Sequence, residues 1–556
     1  MSTLETIPVI LFAYARPDHV ARALGCLREN KVPLLYVFAD GAKGAADAAA
    51  VAEVRKLIRA IDWCEVRLTE RAENLGLGRN ILAGVSAVAA QHEAFIVWED
   101  DLICVPGTYD WFCAALRQYA GEPRVMSVTG WTHPRVTPPG RRGRPYFDGR
   151  GECWGWGAWA RSWAGMNGQS AIEKMSAAVA AGVPADAYGA DLIDMARVEQ
   201  ARNIWAVRWL YHHLQHGGLC LRPPHSLVEH IGFDAQATNA ANSTAWANPP
   251  LGVAPSGAGA WPDAKEHPLC RQLWHAAAPA WPSRPARIRA RLGRLARRFA
   301  PAVLRAWWRQ RHAIRWTGDY RDWNAAAAAS EGYAAPHILA RVEQAVRQVR
   351  AGEAAFERDG VAFREAPPAW PVLDDLLALA EKQGGALTVL DYGGSLGGTY
   401  FNYRFAWDEI PRLQWRVVEQ PAFVSAGRRE FADGRLQFFD SAETALAAGR
   451  ADVLLLASVL PYVPAPHELL RKLLAAPYRQ VLVERTGVVA GPRDRLAVQR
   501  VPAPLGGGSY PCWLLSRPQL LAHFRGYRLV REEPAFDGTA AGVDYRNFWF
   551  EREDGP

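Results

Sequence analysis

Phe95-Ile96-Val97-Trp98-Glu99-Asp100-Asp101 is an apolar run closed by three acids. A parallel strand buried on both faces reads as such a continuous run rather than as an alternation, and open α/β sheets hold their ligands beyond the carboxyl ends of these strands. Paired carboxylates there, Asp100 and Asp101, suit a divalent cation, which in turn suits a phosphorylated ligand. The competing reading of the triplet is a solvated strand end that caps the next helix. Upstream, Pro8-Val9-Ile10-Leu11-Phe12-Ala13-Tyr14 is a second short apolar run. It is followed by Arg16-Pro17-Asp18 and by Val20, Leu24 and Leu27 at helix spacing, which makes a β-α opening.

Leu34-Leu35-Tyr36-Val37-Phe38 predicts the second strand and ends at Ala39-Asp40-Gly41. The Asp40 carboxylate could accept hydrogen bonds from a ribose or base; an Asx turn before Gly41 is the alternative. Asn74-Leu75-Gly76-Leu77-Gly78-Arg79-Asn80 then joins glycines, which let backbone approach a ligand, to a cation, Arg79, suited to a diphosphate. Taken in order, these segments resemble the nucleotide-sugar half of a GT-A glycosyltransferase over about residues 7 to 245, most closely the inverting N-acetylglucosaminyltransferase type. The resemblance implies that Asp40 contacts the nucleoside and that Arg79 helps to hold the donor. It also implies that Asp101, assisted by Asp100, ligates Mn²⁺ or Mg²⁺ bridging the diphosphate. Leaving-group charge would then be stabilised by the metal as a Lewis acid.

The acceptor side is written in Cys153-Trp154-Gly155-Trp156-Gly157-Ala158-Trp159-Ala160-Arg161-Ser162-Trp163. The rings of Trp154, Trp156 and Trp159 could stack on sugars, or could plug the seam between sheet and helices as large aromatics do. Similar Trp-Gly-Trp tracts occur in this glycosyltransferase group, which favours a site-lining role. Inverting transfer needs a base for the acceptor hydroxyl. Where the family often carries Trp-Asp-x-x-Trp, this chain has Trp205-Ala206-Val207-Arg208-Trp209. Asp191, Asp194 and Glu199 are the nearby substitutes, with a solvated helix face as the alternative. Leu227-Val228-Glu229-His230-Ile231-Gly232-Phe233-Asp234 resembles the family's closing loop, where His230 could complete the metal shell or touch phosphate, or be structural. The later Gly-Thr-His of the family is Ala237-Thr238-Asn239 here.

A chain of 556 residues exceeds what one core usually organises, so two domains are expected. The seam is the stretch from Arg284 to Arg315, with eleven Arg and no Asp or Glu, against a whole-chain formal charge of +7. Ile288, Leu292, Leu295 and Phe299, then Val303, Leu304, Trp307 and Trp308, predict an amphipathic helix pair. Such a pair could lie on an anionic membrane surface or pack its apolar stripe on one of the domains. Basic charge confined to this stretch speaks against nucleic acid as a partner. No apolar run reaches the length of a membrane span, and the N-terminus lacks a signal peptide's pattern, so the expected location is cytoplasmic, with attachment to the inner face of the membrane as an extension. Eight Cys without Cys-x-x-Cys pairing predict reduced thiols.

Leu387-Thr388-Val389-Leu390-Asp391-Tyr392-Gly393-Gly394-Ser395-Leu396-Gly397-Gly398-Thr399 opens a second α/β unit: a buried strand, an acid, then a glycine-rich turn in which Gly393 and Gly397 let backbone pass close to a ligand. Ser395 breaks the dinucleotide register Gly-x-Gly-x-x-Gly. Asp-x-Gly-x-x-x-Gly is instead the usual form in S-adenosylmethionine-dependent methyltransferases. The next predicted strand, Gln414-Trp415-Arg416-Val417-Val418, ends at Glu419, which suits the two hydroxyls of an adenosine ribose; a third leads to Asp440, and Val453-Leu454-Leu455-Leu456-Ala457-Ser458 reads as the fourth. From Trp316 onward the chain resembles a family of methyltransferases associated with bacterial surface-polysaccharide genes. The shared tracts are Glu357-Arg358-Asp359, Asp391 to Gly397, Val418-Glu419-Gln420-Pro421, Leu460-Pro461-Tyr462 and Tyr510-Pro511-Cys512-Trp513. Methyl transfer to oxygen needs a base near the methyl group; His467, Tyr462 and Asp440 are the candidates, with packing roles as the alternative.

The expected organisation is therefore α/β throughout: a GT-A domain over 1–262, a basic amphipathic linker over 263–316 and a Rossmann-like methyltransferase domain over 317–556. The expected function is bifunctional glycan assembly, in which a nucleotide-sugar donor and a glycan or lipid-linked glycan acceptor meet in one unit and a glycan hydroxyl is methylated in the other. Two readings stay open beside it: a glycosyltransferase with a silent docking module, and a membrane-associated scaffold of two decayed enzyme folds.

Overall fold

The structure, a computed structural model, describes residues 6–138, 143–202, 204–232, 246, 248–255, 261–278, 314–331, 336–363, 370, 372–501, 508–540 and 543–553. The chain divides into two compact units, Met1–Pro282 and Ser283–Pro556. The arginine-rich stretch expected to form amphipathic helices lies almost wholly outside the described residues, as do Ala237-Thr238-Asn239. Residues 263–278, expected in the linker, belong to the first unit: His267 N–H donates to the Phe147 carbonyl at 3.0 Å, and the Trp274 indole on helix Cys270–Ala277 donates to Asp148 at 2.6 Å.

The first unit is built on an eight-stranded sheet. Strands β1 (Val9–Ala13), β2 (Leu34–Ala39), β3 (Glu65–Glu70) and β4 (Ala94–Glu99) pair in parallel in the order β3-β2-β1-β4. After β5 (Leu102–Cys104), the strands β6 (Val125–Thr129), β7 (Tyr146–Asp148), β8 (Trp156–Trp159) and β9 (Leu219–Arg222) extend the sheet beyond β4 as β8-β6-β9-β7. Helices α1 (Pro17–Glu29), α2 (Ala45–Arg59) and α3 (Leu77–Ala89) connect the first four strands. Alternate residues of one strand enter opposite cores: Val9 and Leu11 pack with Trp98 and Val37, whereas Ile10 and Phe12 pack with Phe38, Val97 and Trp156. Both faces of β1 and β2 are covered, which is why these two strands are apolar at every position, whereas β3 at the edge carries Glu65, Arg67 and Glu70. A short strand, β10 (Val228–His230), pairs antiparallel with β5 and sets His230 opposite Leu102.

In the second unit β11 (Arg315–Thr317) pairs with a peripheral strand, and β12 (Phe356–Arg358) and β13 (Val361–Phe363) form a hairpin. The central sheet holds β14 (Ala386–Tyr392), β15 (Arg412–Val418), β16 (Leu436–Phe439), β17 (Val453–Ala457) and β18 (Gln480–Val489) in parallel, ordered β16-β15-β14-β17-β18. Strands β19 (Arg495–Arg500) and β20 (Ser509–Ser516) branch off β18. A final hairpin, β21 (Tyr527–Ala540) and β22 (Val543–Arg552), closes the edge with β22 antiparallel to β18. The chain reverses direction across the sheet on either side of β14, so its carboxyl end is the topological switch point where such sheets bind ligands.

Among the described residues no helix is long and apolar enough to cross a membrane, and the eight cysteines are free thiols. The first unit also encloses a charged network. Arg222 on β9, fully buried, donates from Nε to Asp148 at 2.8 Å and from Nη1 to Glu152 at 3.3 Å, and further to the Trp131 and Arg150 carbonyls. Removing one partner of such a pair strands the other charges in a dry interior. Arg222→Met is therefore expected to lower the stability of this unit by about 3–5 kcal/mol, read as a lower urea midpoint by tryptophan fluorescence.

Candidate functional sites

In the first unit Asp100 and Asp101 follow β4, beside the end of β1. The Tyr14 N–H donates to Asp100 Oδ2 at 3.1 Å, and the Arg16 guanidinium at the start of α1 bridges both acids: it pairs with Asp100 and lies 2.9 Å from Asp101 Oδ2. Burial raises the Asp100 pKa to about 7, with Arg16 opposing and Asp101 adding to the shift. Burial lowers the pKa of Arg16, but the two carboxylates outweigh it and the net shift is upward. Asp101 Oδ1 is buried without a hydrogen-bond partner among the described residues. His230 reaches this point because β10 pairs with β5; its Nε2 lies 3.7 Å from Asp101 Oδ2, and its Nδ1 accepts the Gly232 N–H at 3.2 Å. Burial lowers the His230 pKa, which favours the neutral ring, and an accepting Nδ1 puts the proton on Nε2. His230 in this tautomer faces Asp101 as a donor rather than as a metal ligand.

Among the described residues no cluster of three His, Cys, Asp or Glu side chains is arranged to hold a metal ion. The pair of carboxylates nevertheless fits a cation whose remaining ligands are phosphate oxygens and water, as is usual for Mg²⁺; the orphaned Asp101 oxygen is one such donor, and Arg16 is the cation already balancing the pair.

The other residues expected at this site divide. The Asp40 carboxylate bonds to backbone: it accepts the Gly41 and Leu75 N–H groups at 2.9 Å and the Gly76 N–H at 3.0 Å, so it ties the loop before α3 to the end of β2 in the manner of an Asx turn. Arg79 is exposed in the first turn of α3. Trp156 and Trp159 are core residues rather than platforms. Trp156 is fully buried against Trp163, Trp205 and Trp209, with centroids 4.9–5.9 Å away, and Trp159 is 2% exposed. Only Trp154 is partly accessible, with its ring 5.0 Å from both Trp131 and His230. Glu199 is structural: it accepts Arg208 Nε at 2.6 Å and the Ala171 N–H at 2.8 Å. Asp191 lies 3.6 Å from Arg150, and burial raises its pKa. Arg16, quoted in the sequence without a role, is the residue that the motif reading missed.

In the second unit the expected residues converge at the switch point. Asp391 is buried near the end of β14; its Oδ2 accepts the Trp415 indole N–H at 3.0 Å, and its Oδ1 has no partner among the described residues. The glycine-rich turn passes directly over this carboxyl, since a Cβ on Gly394 would lie 2.4 Å from it. Gly393 and Gly397 adopt φ of 77° and 82°, the left-handed region that glycine enters freely. Glu419, at the end of the neighbouring β15, accepts the Gln420 N–H at 2.6 Å; burial raises its pKa against backbone hydrogen bonds from Gln420 and Ser395. Asp440 stands apart, exposed and 3.0 Å from Arg428.

The proposed bases are all engaged. His467 Nε2 meets Asp494 at 2.6 Å and Nδ1 meets His523 at 2.7 Å, while the Tyr462 hydroxyl donates to Gln499 at 2.9 Å. Two further carboxyls, to which the sequence reading gave no role, belong to this unit, and the charge of one of them, Glu484, acts on Asp391. Glu484 on β18 accepts the Trp370 indole N–H at 2.6 Å, and Glu357 on β12 lies against Gly398. Each has its pKa raised to about 7, chiefly by burial. The signal for Glu484 was present: Val481-Leu482-Val483-Glu484 is another apolar strand ending in an acid. Among the described residues, four of the five non-glycine residues with positive φ, Asp359, Ser395, Ser458 and Arg485, adjoin these acids or the turn, and such strain collects at functional sites.

No family model matches the chain, and comparison with curated proteins finds no match. Solved structures do resemble it. The N-terminal domain of EvdMO1, determined with S-adenosylhomocysteine and D-fucose, is 19% identical and matches over 39% of this chain and 99% of its own, with a TM-score of 0.27. Mitomycin 7-O-methyltransferase MmcR is 21% identical over 39% of this chain and 69% of its own, with a TM-score of 0.21. The mannosyltransferase PcManGT from Pyrobaculum calidifontis, in complex with GDP-Man and Mn²⁺, is 14% identical over 28% of this chain and 44% of its own, also with a TM-score of 0.21.

Burial of Asp391 gives a pH signature. Its folded pKa, about 7, exceeds the value near 4 of an unfolded Asp. The folded state therefore keeps a proton that the unfolded state loses, and this contribution to stability is full below pH ~4 and lost as pH rises to about 7. Asp391→Asn in the cofactor-free protein is expected to match the wild type near pH 4 and to be more stable at pH 8, by at most roughly 4 kcal/mol. Urea unfolding at both pH values measures the difference.

Proposed function

We propose that the chain is a bifunctional enzyme of glycan assembly, in which the second unit uses S-adenosylmethionine to methylate a glycan hydroxyl and the first transfers a sugar from a nucleoside-diphosphate donor. The observation that carries the methyltransferase half is the placement of Asp391 and Glu419 at the carboxyl ends of the adjacent strands β14 and β15 at the switch point, with the glycine-rich turn passing over Asp391. Asp391 Oδ1 lacks a donor that a bound ammonium or amide would supply, and the backbone of 393–397 is free to approach the ligand. Glu419 is set to accept from the hydroxyls of a ribose. The cofactor would supply an electrophilic methyl on a sulfonium, while the protein's part is alignment and removal of the acceptor proton.

For the first unit, the support is the buried carboxylate pair at the end of β4 with the cation Arg16 across it. Asp101, with Asp100, would hold Mn²⁺ or Mg²⁺, and that ion would stabilise charge on the departing diphosphate. Trp154 beside His230 is the aromatic face left for an acceptor sugar. Asp191 and Asp194 are the remaining acids for the acceptor proton, and burial raises the pKa of Asp191. Inverting stereochemistry, a lipid-linked acceptor and a position on the inner membrane surface extend this reading.

Calorimetry with S-adenosylhomocysteine tests the second unit: the full chain is expected to bind it, and Asp391→Ala to lose at least tenfold in affinity, about 1.4 kcal/mol. No binding by folded wild-type protein would leave the docking-module reading. In the same preparations Asp101→Ala is expected to abolish Mn²⁺-dependent hydrolysis of nucleotide sugars and leave S-adenosylhomocysteine affinity unchanged. Loss of neither binding nor hydrolysis in the two variants would overturn both assignments.

A further inference from the structure

The strand register places one more carboxylate on the side of Asp391 that the cofactor reading leaves unused. Asp391 pairs with Leu455 on β17, Leu455 with Leu482 on β18, and two residues further on Ala457 pairs with Glu484. Side chains alternate along a strand, so Asp391, Leu455, Ala457, Leu482 and Glu484 share one face, and Val389, Leu455, Leu482 and Trp549 pack there in a single core. Glu484 stands one pleat beyond Asp391, at the carboxyl edge, on the opposite side of β14 from Glu419. With the nucleoside end of the ligand assigned to Glu419 and the turn, the next space along the edge is the one bounded by Ser458 and Glu484.

Its surroundings hold the carboxyl ready. The Trp370 indole donates to Oε1 at 2.6 Å, and the Trp370 and Tyr403 rings lie 5.0 Å apart beside it. A register shift between Val483 and Thr486 leaves Arg485 at φ 48°, with its N–H donating to the Asn547 side chain at 2.9 Å and its guanidinium 3.2 Å from Asp359. The bulge aims Glu484 and Arg485 differently from a regular strand. Glu484 is half-buried and lines a small cavity with Val372, Arg531, Asn547 and Trp549.

We propose that Glu484 is the general base of methyl transfer and that the edge between Ser458 and Glu484 takes the acceptor hydroxyl of a sugar. This rests on the methyltransferase reading of the second unit. The Glu484 carboxylate removes the O–H proton as the O–CH₃ bond forms; the C–S bond breaks with its electron pair passing to sulfur, which leaves a neutral thioether, a methyl ether and a protonated Glu484. Burial, which lifts its pKa to about 7, gives the carboxylate the basicity for this work near neutral pH.

The test uses the full chain, S-adenosylmethionine and a set of p-nitrophenyl hexosides and hexosaminides. Glu484→Gln is expected to bind S-adenosylhomocysteine within about twofold of wild type, by calorimetry, and to methylate the probe about 10²–10⁴-fold more slowly. Added formate should restore Glu484→Ala in proportion to its concentration, which a packing role would not produce. As a readout apart from turnover, the probe should bind the S-adenosylhomocysteine complex of Glu484→Ala about tenfold more weakly than that of wild type. Equal rates in Glu484→Gln and wild type would overturn the role. Wild-type protein that binds the cofactor product yet neither binds nor methylates any glycoside would overturn the sugar acceptor at this edge while leaving the cofactor site intact. Folded protein that binds no S-adenosylhomocysteine would overturn the reading beneath it.

Discussion

Desolvation of carboxyl groups at the carboxyl ends of parallel strands governs both units. Asp100 and Asp391 sit where strands that are apolar on both faces stop, and neither can ionise there without help. The two units meet this demand differently. At Asp100 a guanidinium is built in, since Arg16 opens the helix that β1 feeds. At Asp391 only a neutral indole donates, and one oxygen is left with no partner among the described residues. An ion pair satisfies a charge in the folded protein alone, whereas an orphaned acceptor is satisfied when a donor arrives. Asp101 Oδ1, beside Asp100, is orphaned in the same way, so each unit presents an acceptor that an arriving donor or cation would satisfy.

Much of this architecture was legible because the strands carry their own signature. The runs at 9–13, 34–39, 94–98 and 453–457 are apolar without alternation, and the structure pairs them in parallel as that pattern requires, whereas 412–418 alternates through Arg412, Gln414 and Arg416 and still pairs in parallel. Positions at strand ends were legible for the same reason, so Asp100, Asp101, Asp391 and Glu419 fall where strand geometry puts them.

Side-chain partners were not legible, because they are set by contacts distant in sequence. Trp154, Trp156 and Trp159 look alike in the tract 153–163. The pairing of β8 with β4 and β6 turns Trp156 inward against Trp209, more than fifty residues away, and leaves only Trp154 beside His230. Glu199 resembles an exposed helix acid until Arg208 and the Ala171 N–H close around it. Asp40 presents the sequence of a ligand contact but meets the backbone of residues 75 and 76, and that bond fixes the glycine loop in place.

Hydrogen-bond capacity then narrows the choice of base in the second unit. A neutral imidazole has one donor and one acceptor. Both ring nitrogens of His467 are engaged, Nε2 with Asp494 at 2.6 Å and Nδ1 with His523 at 2.7 Å. The Tyr462 hydroxyl donates to Gln499, and burial raises its pKa, so it holds its proton. Asp440 is exposed and engaged by Arg428 at 3.0 Å. A carboxylate, by contrast, offers about four lone-pair positions. Glu484 gives one to Trp370 in a setting that raises its affinity for a proton. Its strand end could be read from the sequence, but its burial, which raises its pKa against the opposing hydrogen bond from Trp370, comes from contacts distant along the chain.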